Sequence, residues 1–308
     1  MRVIVAGGTG LIGRALSADL AADGHEVIVL SRAPERSKGL AAGVRAERWD
    51  GQTGDGWAAL ADGADAIDNL AGANISGEGL FPSRWADERK RIIRESRLNA
   101  GRAVVDAVRQ ASRKPRVVIQ ASGIGVYGPH DDEPIAEDGP VGHDFLASFA
   151  AHEWEPSTAP VEAMGVRRAI VRNAVVLSKT DGALRPMLLQ FRLFAGGPIG
   201  SGKQWMSWIH LKDEARAIRS LIENGSATGP FNLVAPQAVT NAQFARTLGR
   251  VMGRPSWLPL PGLAMKAAFG EVADLLLTGQ RGVPQRLLDS GFQFRFPELE
   301  GALRDALA

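Results

Sequence analysis

The chain contains no cysteine, so disulfide bonds, zinc sites built from thiolates and cysteine nucleophiles are excluded. No uninterrupted apolar stretch approaches the roughly 20 residues of a membrane span. The charged residues are interspersed to a net charge of +2 and form no long basic run of the kind that follows a phosphate backbone. We therefore expect no metal site, no membrane partner and no nucleic-acid partner.

The 308 residues, 45% of them hydrophobic and 23% charged, have the composition of an ordinary globular protein. The first residues, MRVIVAGGTG, form an apolar strand pattern with no positively charged leader and no small-residue cleavage site. We expect a cytoplasmic location. Nothing in the sequence indicates the oligomeric state.

Short β-branched runs alternate with helical patterns along the first part of the chain. The runs are RVIVA from Arg2, EVIVL from Glu26, DAIDNL from Asp65, RVVIQAS from Arg116 and RAIVR from Arg168. Helices are predicted over 12–22, 85–108 and 144–164. Near-continuous apolar strands that alternate with helices are typical of a parallel sheet covered on both faces. The sequence predicts an α/β Rossmann fold with a doubly wound parallel sheet.

The first predicted strand ends directly in a glycine-rich turn, Gly7-Gly8-Thr9-Gly10-Leu11-Ile12-Gly13, and a helical pattern follows. The spacing agrees with both G-x-G-x-x-G and G-x-x-G-x-x-G. In either form the glycines allow a tight turn and a close approach of backbone to a pyrophosphate, while the helix N-terminus offers free N–H groups. We predict that a dinucleotide lies against Gly7, Gly10, Leu11, Ile12 and Gly13.

The second predicted strand ends in Ser31-Arg32, where an NAD site usually places a carboxylate for the ribose 2′-hydroxyl. A hydroxyl and a guanidinium can instead bind a 2′-phosphate, so NADP is the predicted cofactor. The alternative for Arg32 is a solvated surface arginine. The third strand ends in Leu70 and Ala71, which offer a flat surface to a ribose or adenosine, or form a simple turn. Asp50 is either an adenine contact or a surface aspartate.

After about residue 182 the alternation weakens, and prolines precede a helical apolar pattern. We predict an NADP-binding Rossmann domain over 1–180 and a smaller C-terminal subdomain over 181–308, interleaved with the sheet. The segment of about 250–308 is predicted to form a lid over the nicotinamide end. The cleft beneath it would be lined by Ser122 and the strand WMSWIH.

The strings GGTGLIG, SR, NLAG and ASGIGVYG resemble the extended short-chain dehydrogenase/reductase superfamily. The later strings GGPIGSGKQWMSWIH, GPFNLVAP and LLLTGQRGVPQRLLDSGFQFRFPELEGAL are similar to its atypical nucleoside-diphosphate-sugar epimerase branch, sometimes labelled SulA-like. The resemblance spans nearly the whole chain. It places Ser31, Arg32, Leu70, Ala71, Arg97 and Val176 at cofactor-binding positions. By local pattern alone, Arg97 would be a solvated helix residue and Val176 a core residue.

This sequence departs from the usual form of the branch at two places. Extra residues at 78–82 precede Arg84-Trp85, and Asn173 is followed by Ala174 where the branch usually has glycine. These changes affect the expected shape of the pocket rather than the cofactor.

Short-chain dehydrogenases usually exchange a proton through a Tyr-x-x-x-Lys pair on a helix. Here the only tyrosine is Tyr127, with Asp131 four residues later, and the helix expected to carry the pair has Phe145 and Phe149. Ser122 matches the active-site serine of the family and is the candidate catalytic residue. The alternative is a strand-end serine that bonds to backbone.

Other acids and bases are Tyr127, His152, Glu153 and His210, each with a structural alternative. Trp205 and Trp208 are candidate substrate contacts, although their alternation also suits core packing.

Two classes of function follow. The first is an NADP(H)-dependent oxidoreductase or epimerase that acts on an unidentified small molecule, with a nucleotide sugar as one candidate. The second is a catalytically weak or inactive NADP(H)-binding sensor that has lost the proton-transfer pair.

Overall fold

The computed structural model describes residues 1–77 and 79–308. The strands in these ranges are β1 (Arg2–Ala6), β2 (Glu26–Ser31), β3 (Val44–Arg48), β4 (Ala66–Asn69), β5 (Val117–Gly123), β6 (Pro134–Ile135), β7 (Arg167–Asn173), β8 (Val175–Leu177), β9 (Trp205–Met206), β10 (Trp208–His210), β11 (Gly229–Leu233), β12 (Val239–Thr240) and β13 (Arg281–Gly282).

One large sheet organises the molecule. Its seven strands follow the order β11-β7-β5-β4-β1-β2-β3, and every neighbouring pair is parallel. The order reverses beside β1, which pairs with β2 on one side and β4 on the other. In open parallel sheets this reversal makes the crevice at the carboxyl ends of the strands where ligands bind.

The sequence-based prediction of a doubly wound parallel sheet is confirmed. The five predicted strands became β1, β2, β4, β5 and β7. Two strands of the sheet were not predicted. β3 has the sequence VRAER, and its alternating charged residues reflect its position at an edge of the sheet. β11 has the sequence GPFNL, whose glycine and proline are not typical of a strand although its last three residues are buried.

The α-helices of the described residues are α1 (Leu11–Ala22), α2 (Asp87–Gln110), α3 (Phe145–Phe149), α4 (Leu184–Arg192), α5 (Leu211–Glu223), α6 (Asn241–Met252), α7 (Gly262–Phe269), α8 (Asp274–Leu277), α9 (Gln285–Asp289) and α10 (Leu299–Leu307). Short 3₁₀ turns lie at Pro34–Arg36, Ala58–Ala61, Ile124–Tyr127 and Gly270–Ala273.

The helix predicted over 144–164 forms as three consecutive helical types. Asp144 caps it, since its side chain accepts a hydrogen bond from the N–H of Ala147. After α3 the chain makes a π turn (Ala150–Trp154) and then a 3₁₀ segment (Glu155–Met164). Prolines within the last segment cannot donate the regular helical hydrogen bonds, which explains the change of winding.

Alternate residues of the central strands bury on opposite faces of the sheet. Val3 and Val5 belong to a core cluster with residues of α1 and α5, such as Leu16 and Ile218. Ile4 belongs to a second cluster with residues of α2. This two-sided burial is the physical reason for the continuous apolar strands of the sequence.

The C-terminal part adds its own core against the sheet. Residues of α4, α6 and α10 bury together around Phe191, Phe244 and Leu303. Elsewhere, β13 pairs with β6, and the main-chain N–H of Val283 donates to the carbonyl of Ile135. In the described ranges, no helix is both long and apolar enough to cross a membrane.

Candidate dinucleotide-binding site

The turn between β1 and α1 is held by glycines for steric reasons. Gly7 has φ of 79°, and a Cβ atom on it would lie 2.8 Å from the carbonyl carbon of Leu70. A Cβ on Gly13 would lie 2.5 Å from the Cα of Gly8. A side chain on Gly13 would separate α1 from the turn, and a side chain on Gly7 would separate the turn from the residues that follow β4. The structure therefore presents bare backbone where a pyrophosphate can approach.

Two more predicted positions adjoin this turn. Leu70 and Ala71 follow β4, and the N–H of Leu70 donates to the carbonyl of Ala6 at 2.9 Å. Leu11 and Ile12 form the first turn of α1, whose N–H groups have no acceptor within the helix. These residues lie together at the carboxyl edge of the sheet. Their contact with a cofactor stays a prediction.

The end of β2 forms a small polar corner. Ser31 Oγ accepts hydrogen bonds from the N–H of Ala33 at 3.2 Å and from Ser37 Oγ at 3.0 Å. Arg32 is exposed, and its side chain lies against Gly51. Within residues 1–77 and 79–308, the Arg32 guanidinium has no hydrogen-bond acceptor and no ion-pair partner. The corner therefore offers hydroxyl groups and an uncommitted positive charge.

Ser37 also belongs to this corner, and the sequence at the end of β2 alone does not predict it. The turn Pro34–Arg36 brings Ser37 back to Ser31, and Arg14 fixes the returning chain by donating from Nη1 to the carbonyl of Lys38 at 2.7 Å. A serine shortly after a proline-containing turn was the available signal. Asp50, by contrast, accepts bonds from Gln52 and Thr53 in its own turn, which is the surface alternative.

Arg97 lies behind the loop that follows β4. It is buried, its Nη1 donates to the carbonyls of Ala73 and Ile93 at 3.0 Å each, and its guanidinium lies 4.6 Å from the ring centroid of Trp154. Burial, with a smaller contribution from the charge of Arg89, lowers the pKa of Arg97 to about 10. It is thus no solvated helix residue. It holds the loop in place, and a direct contact with the cofactor stays a prediction.

Val176 lies close to the loop that follows β8, and this loop contacts the start of α1. It lies in β8, paired with β10, and is partly exposed. A Cβ on Gly182 would be 3.7 Å from both the carbonyl oxygen of Val176 and Cδ2 of Leu11. The structure therefore brings Val176 and Leu11, the first residue of α1, close to the same glycine. Asn173 and Ala174 precede it in the chain, while Glu78 of the other departure lies outside the described residues.

Ser122 does not bond to backbone as the alternative supposed. Its hydroxyl donates to Glu155 Oε1 at 2.7 Å, and both oxygens of Glu155 accept from Arg172, at 2.9 and 3.1 Å. All three side chains are buried. Burial opposes the charge on Arg172, but the bonds to Glu155 outweigh it and raise the pKa of Arg172. The catalytic role of Ser122 stays a prediction.

Tyr127 is held in the same network. Its hydroxyl accepts from Arg172 Nη1 at 2.7 Å and donates to Asn232 Oδ1 at 2.8 Å. Burial raises the pKa of Tyr127, and the charge of Arg172 offsets only part of this increase. A buried tyrosine whose proton is already donated is poorly suited to exchange it with a substrate.

The helix that begins at Phe145 carries a stack of aromatic rings. Phe145 and Phe149 have centroids 6.2 Å apart with an interplanar angle of 11°, and Phe149 stacks on Trp154 in the same way. Glu153 pairs with Arg94. The two phenylalanines pack as rings and carry no proton for transfer.

The other candidate acids and contacts separate in space. His210 is buried and accepts from the N–H of Lys212 as the cap of α5. Trp208 is 1% exposed and donates to the carbonyl of Gln237, which is the core-packing alternative. Trp205 is partly exposed, donates to Asp132 and lies under the Arg281 guanidinium. Of the two tryptophans, Trp205 alone is partly exposed, and its contact with a substrate stays a prediction.

The C-terminal segment packs against the rest of the chain rather than standing apart. Arg84 donates to the carbonyls of Ala267 and Ala268, and Lys90 pairs with Glu271. A Cβ on Gly279 would overlap the carbonyl of Trp205. These contacts hold the segment against the start of α2 and against β9, and its role as a lid over the nicotinamide end stays a prediction. The predicted cleft beneath it stays a prediction.

A cavity of about 250 Å³ opens at the other edge of the sheet, where the strands begin. It is lined by Met1, Asp65, Arg116 and Arg167, among others. Ligands of open parallel sheets bind at the carboxyl ends of the strands, so we do not assign this cavity to a cofactor.

Proteins of known family resemble the chain over its full length. The epimerase family protein YfhF of Bacillus subtilis is 37% identical over 312 residues, which cover 100% of this chain and 98% of YfhF. The epimerase family protein SDR39U1 of Homo sapiens is 39% identical over 311 residues, with 100% of both chains covered.

Solved structures agree. The crystal structure of human SDR39U1 (isoform 2) with NADPH has a TM-score of 0.86 at 37% identity and covers 99% of both chains. The UDP-glucose 4-epimerase of Thermus thermophilus, in complex with NAD, has a TM-score of 0.77 at 20% identity and covers 99% of this chain and 98% of its own, so it shares the fold.

Family models cover most of the sequence. A domain of unknown function, DUF1731, matches residues 260–306, within the predicted C-terminal segment. The model described as the NAD dependent epimerase/dehydratase family matches residues 3–233. These matches confirm the resemblance seen in the motifs, and the chain belongs to the NAD dependent epimerase/dehydratase family.

Proposed function

We propose that this chain binds NADP(H) and transfers hydride between the cofactor and a hydroxyl or carbonyl carbon of a small molecule. The observation that carries the proposal is the polar corner formed by Ser31, Arg32 and Ser37 beside the glycine turn. The relative crystallised with NADPH, at 37% identity, supports the same cofactor.

The residues suit the cofactor on steric and electrostatic grounds. Bare backbone at Gly7 and Gly13 leaves room for the pyrophosphate, and the N-terminus of α1 favours its negative charge. At the end of β2 a carboxylate would repel a 2′-phosphate, whereas the Arg32 guanidinium attracts it. The Ser31 hydroxyl, which accepts from Ser37, can donate its own proton to the phosphate. Nicotinamide supplies the hydride chemistry when the cofactor is bound.

Proton exchange must use a group other than the usual tyrosine. The Ser122 hydroxyl already donates its proton to Glu155, so its oxygen is oriented to accept a hydrogen bond from a substrate hydroxyl. We assign Ser122 this role of holding the reacting oxygen. Glu155 is held by two hydrogen bonds from Arg172 and so fixes the Ser122 hydroxyl, while the helix of the usual proton donor carries Phe145 and Phe149 instead. Turnover should therefore be slow.

A second function, a sensor of NADP(H) without turnover, is favoured by a specific observation. Tyr127, the only tyrosine, is buried and bonded to both Arg172 and Asn232. The expected proton-donor helix presents stacked phenylalanines. Both functions share the cofactor site, so the two must be separated by turnover rather than by binding.

The cofactor assignment is tested with Arg32→Ala. A charge-assisted hydrogen bond contributes roughly 1.5–3 kcal/mol, which corresponds to about ten- to hundredfold in affinity. The variant should bind NADPH more weakly by about that factor and bind NADH almost unchanged, as measured by quenching of tryptophan fluorescence. Arg36→Ala, a neighbouring exposed arginine, is the control. Equal affinity of the unmodified protein for NADH and NADPH would refute the assignment.

Turnover is tested by following NADPH absorbance with a panel of small carbonyl compounds, sugar nucleotides included. The oxidoreductase proposal expects slow consumption of NADPH, and slow formation of NADPH from NADP+ and the matching alcohols. Ser122→Ala should lower the reaction with the alcohols by about tenfold or more, because the variant loses the acceptor for the substrate hydroxyl. Activity that is unchanged in Ser122→Ala removes the serine from the reaction. No consumption with any compound, despite tight NADPH binding, favours the sensor.

A further inference from the structure

An exposed apolar surface lies where the end of α4 meets the loop after α6. Leu193, Phe194 and Trp257 are 69%, 53% and 64% exposed, and Leu258 is next to them in the chain. We call these four residues the apolar patch. Hydrogen bonds connect the two chain segments that supply it. Trp257 Nε1 donates to the carbonyl of Phe194 at 2.9 Å, and the N–H groups of Trp257 and Leu258 both donate to the carbonyl of Gly196.

The backbone presents the Phe194 ring in a conformation that side chains disfavour. Phe194 has φ of 59°, and it is the sole non-glycine residue with positive φ in the part of the chain that the structure describes. The Arg254 guanidinium lies over the ring, 4.5 Å from its centroid, yet the residue stays more than half exposed. This conformation belongs to the end of α4, where the N–H of Phe194 donates to the carbonyl of Phe191 and that of Ala195 to the carbonyl of Gln190. The helix end therefore directs a large apolar ring into solvent.

The charges around the patch have one sign. No aspartate or glutamate occurs at 182–212 or 224–270, the two stretches that supply the patch, whereas both carry arginine and lysine. Arg192 and Arg254 flank the patch, and no carboxylate lies within 4.0 Å of either in the described ranges, although Glu300 and Asp274 pair with Arg250 and Lys266 farther along.

We propose that the apolar patch docks on an anionic phospholipid surface. Exposed aromatic and leucine side chains that stand beside arginines match the boundary between headgroups and acyl chains, where tryptophan is favoured and acidic lipids attract the cations. The side chains protrude instead of lining a groove, so they suit a fluid surface better than an acidic protein helix, which needs a matching groove. Surface docking needs no spanning helix.

The experiment is flotation of the full chain with vesicles of phosphatidylcholine alone, and of phosphatidylcholine mixed with phosphatidylserine. Binding is expected to the mixed vesicles only and to decrease as salt is raised, because the attraction is screened. The double change Leu193→Ser with Phe194→Gly should weaken binding by about tenfold or more, because apolar area stays in water. Glycine relieves the positive φ, so the double variant should keep its fold.

Matched controls separate the patch from a general effect. Leu288→Ser changes another exposed leucine, on α9, and should bind as the unmodified protein does. Arg192→Glu should weaken binding to the mixed vesicles by about fivefold or more, while Arg102→Glu on α2 should not. Thermal unfolding and NADPH affinity of each variant verify the fold.

Four results would overturn the proposal. The first is no binding of the unmodified protein to mixed vesicles. The second is equal loss in the patch variants and the controls. The third is self-association in size-exclusion chromatography that the double variant abolishes, which would mean that a second copy covers the patch. Binding to an acidic peptide but to neither vesicle would likewise assign the patch to a protein.

Discussion

Two neighbouring strands of the sheet bury charged side chains in opposite ways. On β5, Ser122 joins Glu155 and Arg172 in a network in which both carboxylate oxygens accept hydrogen bonds. On β4, Asp68 is fully buried near Glu214 of α5, and none of their four carboxylate oxygens has a hydrogen-bond partner among the described residues. Burial is thus nearly complete in both regions, but only one is satisfied.

The difference shows that partners, rather than depth, decide what a buried charge costs. A buried carboxylate that accepts two hydrogen bonds from one arginine keeps much of the stabilisation that water would give. If one partner is removed, the remaining charge stays buried and bears the full cost of desolvation. A carboxyl with no partner avoids that cost by staying protonated. Accordingly, burial raises the pKa of Asp68 and of Glu214 well above the usual range, and the pKa of Glu214 is raised further because the two neighbouring carboxyls would repel each other if both ionised.

The largest effect is expected from breaking the satisfied network. Arg172→Leu leaves Glu155 buried without its cation, and should lower the free energy of unfolding by about 3–5 kcal/mol. Urea unfolding measures it. Arg116→Leu, which removes an exposed ion pair with Asp65, is the control and should cost about 1 kcal/mol or less. A similar small loss for both variants would show that the network contributes nothing special.

A gain is expected from removing the unsatisfied carboxyl. Asp68 lies opposite Val5 and Ile119 in the sheet, so Asp68→Val places a β-branched apolar side chain beside two others of the same kind. The free energy of unfolding should rise by about 1–3 kcal/mol, because a polar group without a partner leaves the core.

The control for this gain is Asp65→Val, just before the start of the same strand. Asp65 accepts from the N–H of Arg2 and pairs with Arg116, so its loss should destabilise the fold. If Asp68→Val destabilises as well, Asp68 has a partner that the structure does not show. The change Glu214→Leu added to Asp68→Val should give less than the sum of the two single effects, since each carboxyl raises the cost of the other.

The smallest effect is expected in the change of the free energy of unfolding with pH. An unfolded chain releases the protons of Asp68 and Glu214 near pH 4, while the folded chain holds them to higher pH. Their contribution to stability is therefore complete below the unfolded pKa and is lost as pH rises through the folded values, by at most about 1.4 kcal/mol per pH unit for each proton.

Urea unfolding over a pH series measures this slope. The double change Asp68→Val with Glu214→Leu should flatten it relative to the unmodified protein. An identical pH dependence in both proteins would mean that the two carboxyls ionise alike in the folded and unfolded states.

Local sequence patterns predicted the frame of the molecule. The apolar runs became five strands of the sheet, and the spacing of Gly7, Gly10 and Gly13 placed the turn before α1. Such features are determined within a few residues, by backbone sterics and by two-sided burial, so they can be identified without knowing what lies opposite in the fold.

Contacts between distant residues were decided by the tertiary structure alone. The pairing of Ser122 with Glu155 joins residues 33 apart in the chain, and that of Tyr127 with Asn232 joins residues 105 apart. No pattern around Ser122 or Tyr127 distinguishes a free hydroxyl from one already bonded. Asp68 likewise sits in a strand pattern that gives no sign of a missing partner, because its partners would come from other elements.

The sequence by itself thus determined the parallel sheet, the glycine turn and the positive charge at the end of β2. The fold decided that Trp208 belongs to the core, that Ser37 returns to Ser31, and that the single tyrosine both accepts and donates a hydrogen bond. The physical reason is range. Backbone conformation and strand burial are fixed by neighbours in the chain, whereas the availability of a polar side chain depends on which distant groups the packed sheet and helices bring within hydrogen-bond distance.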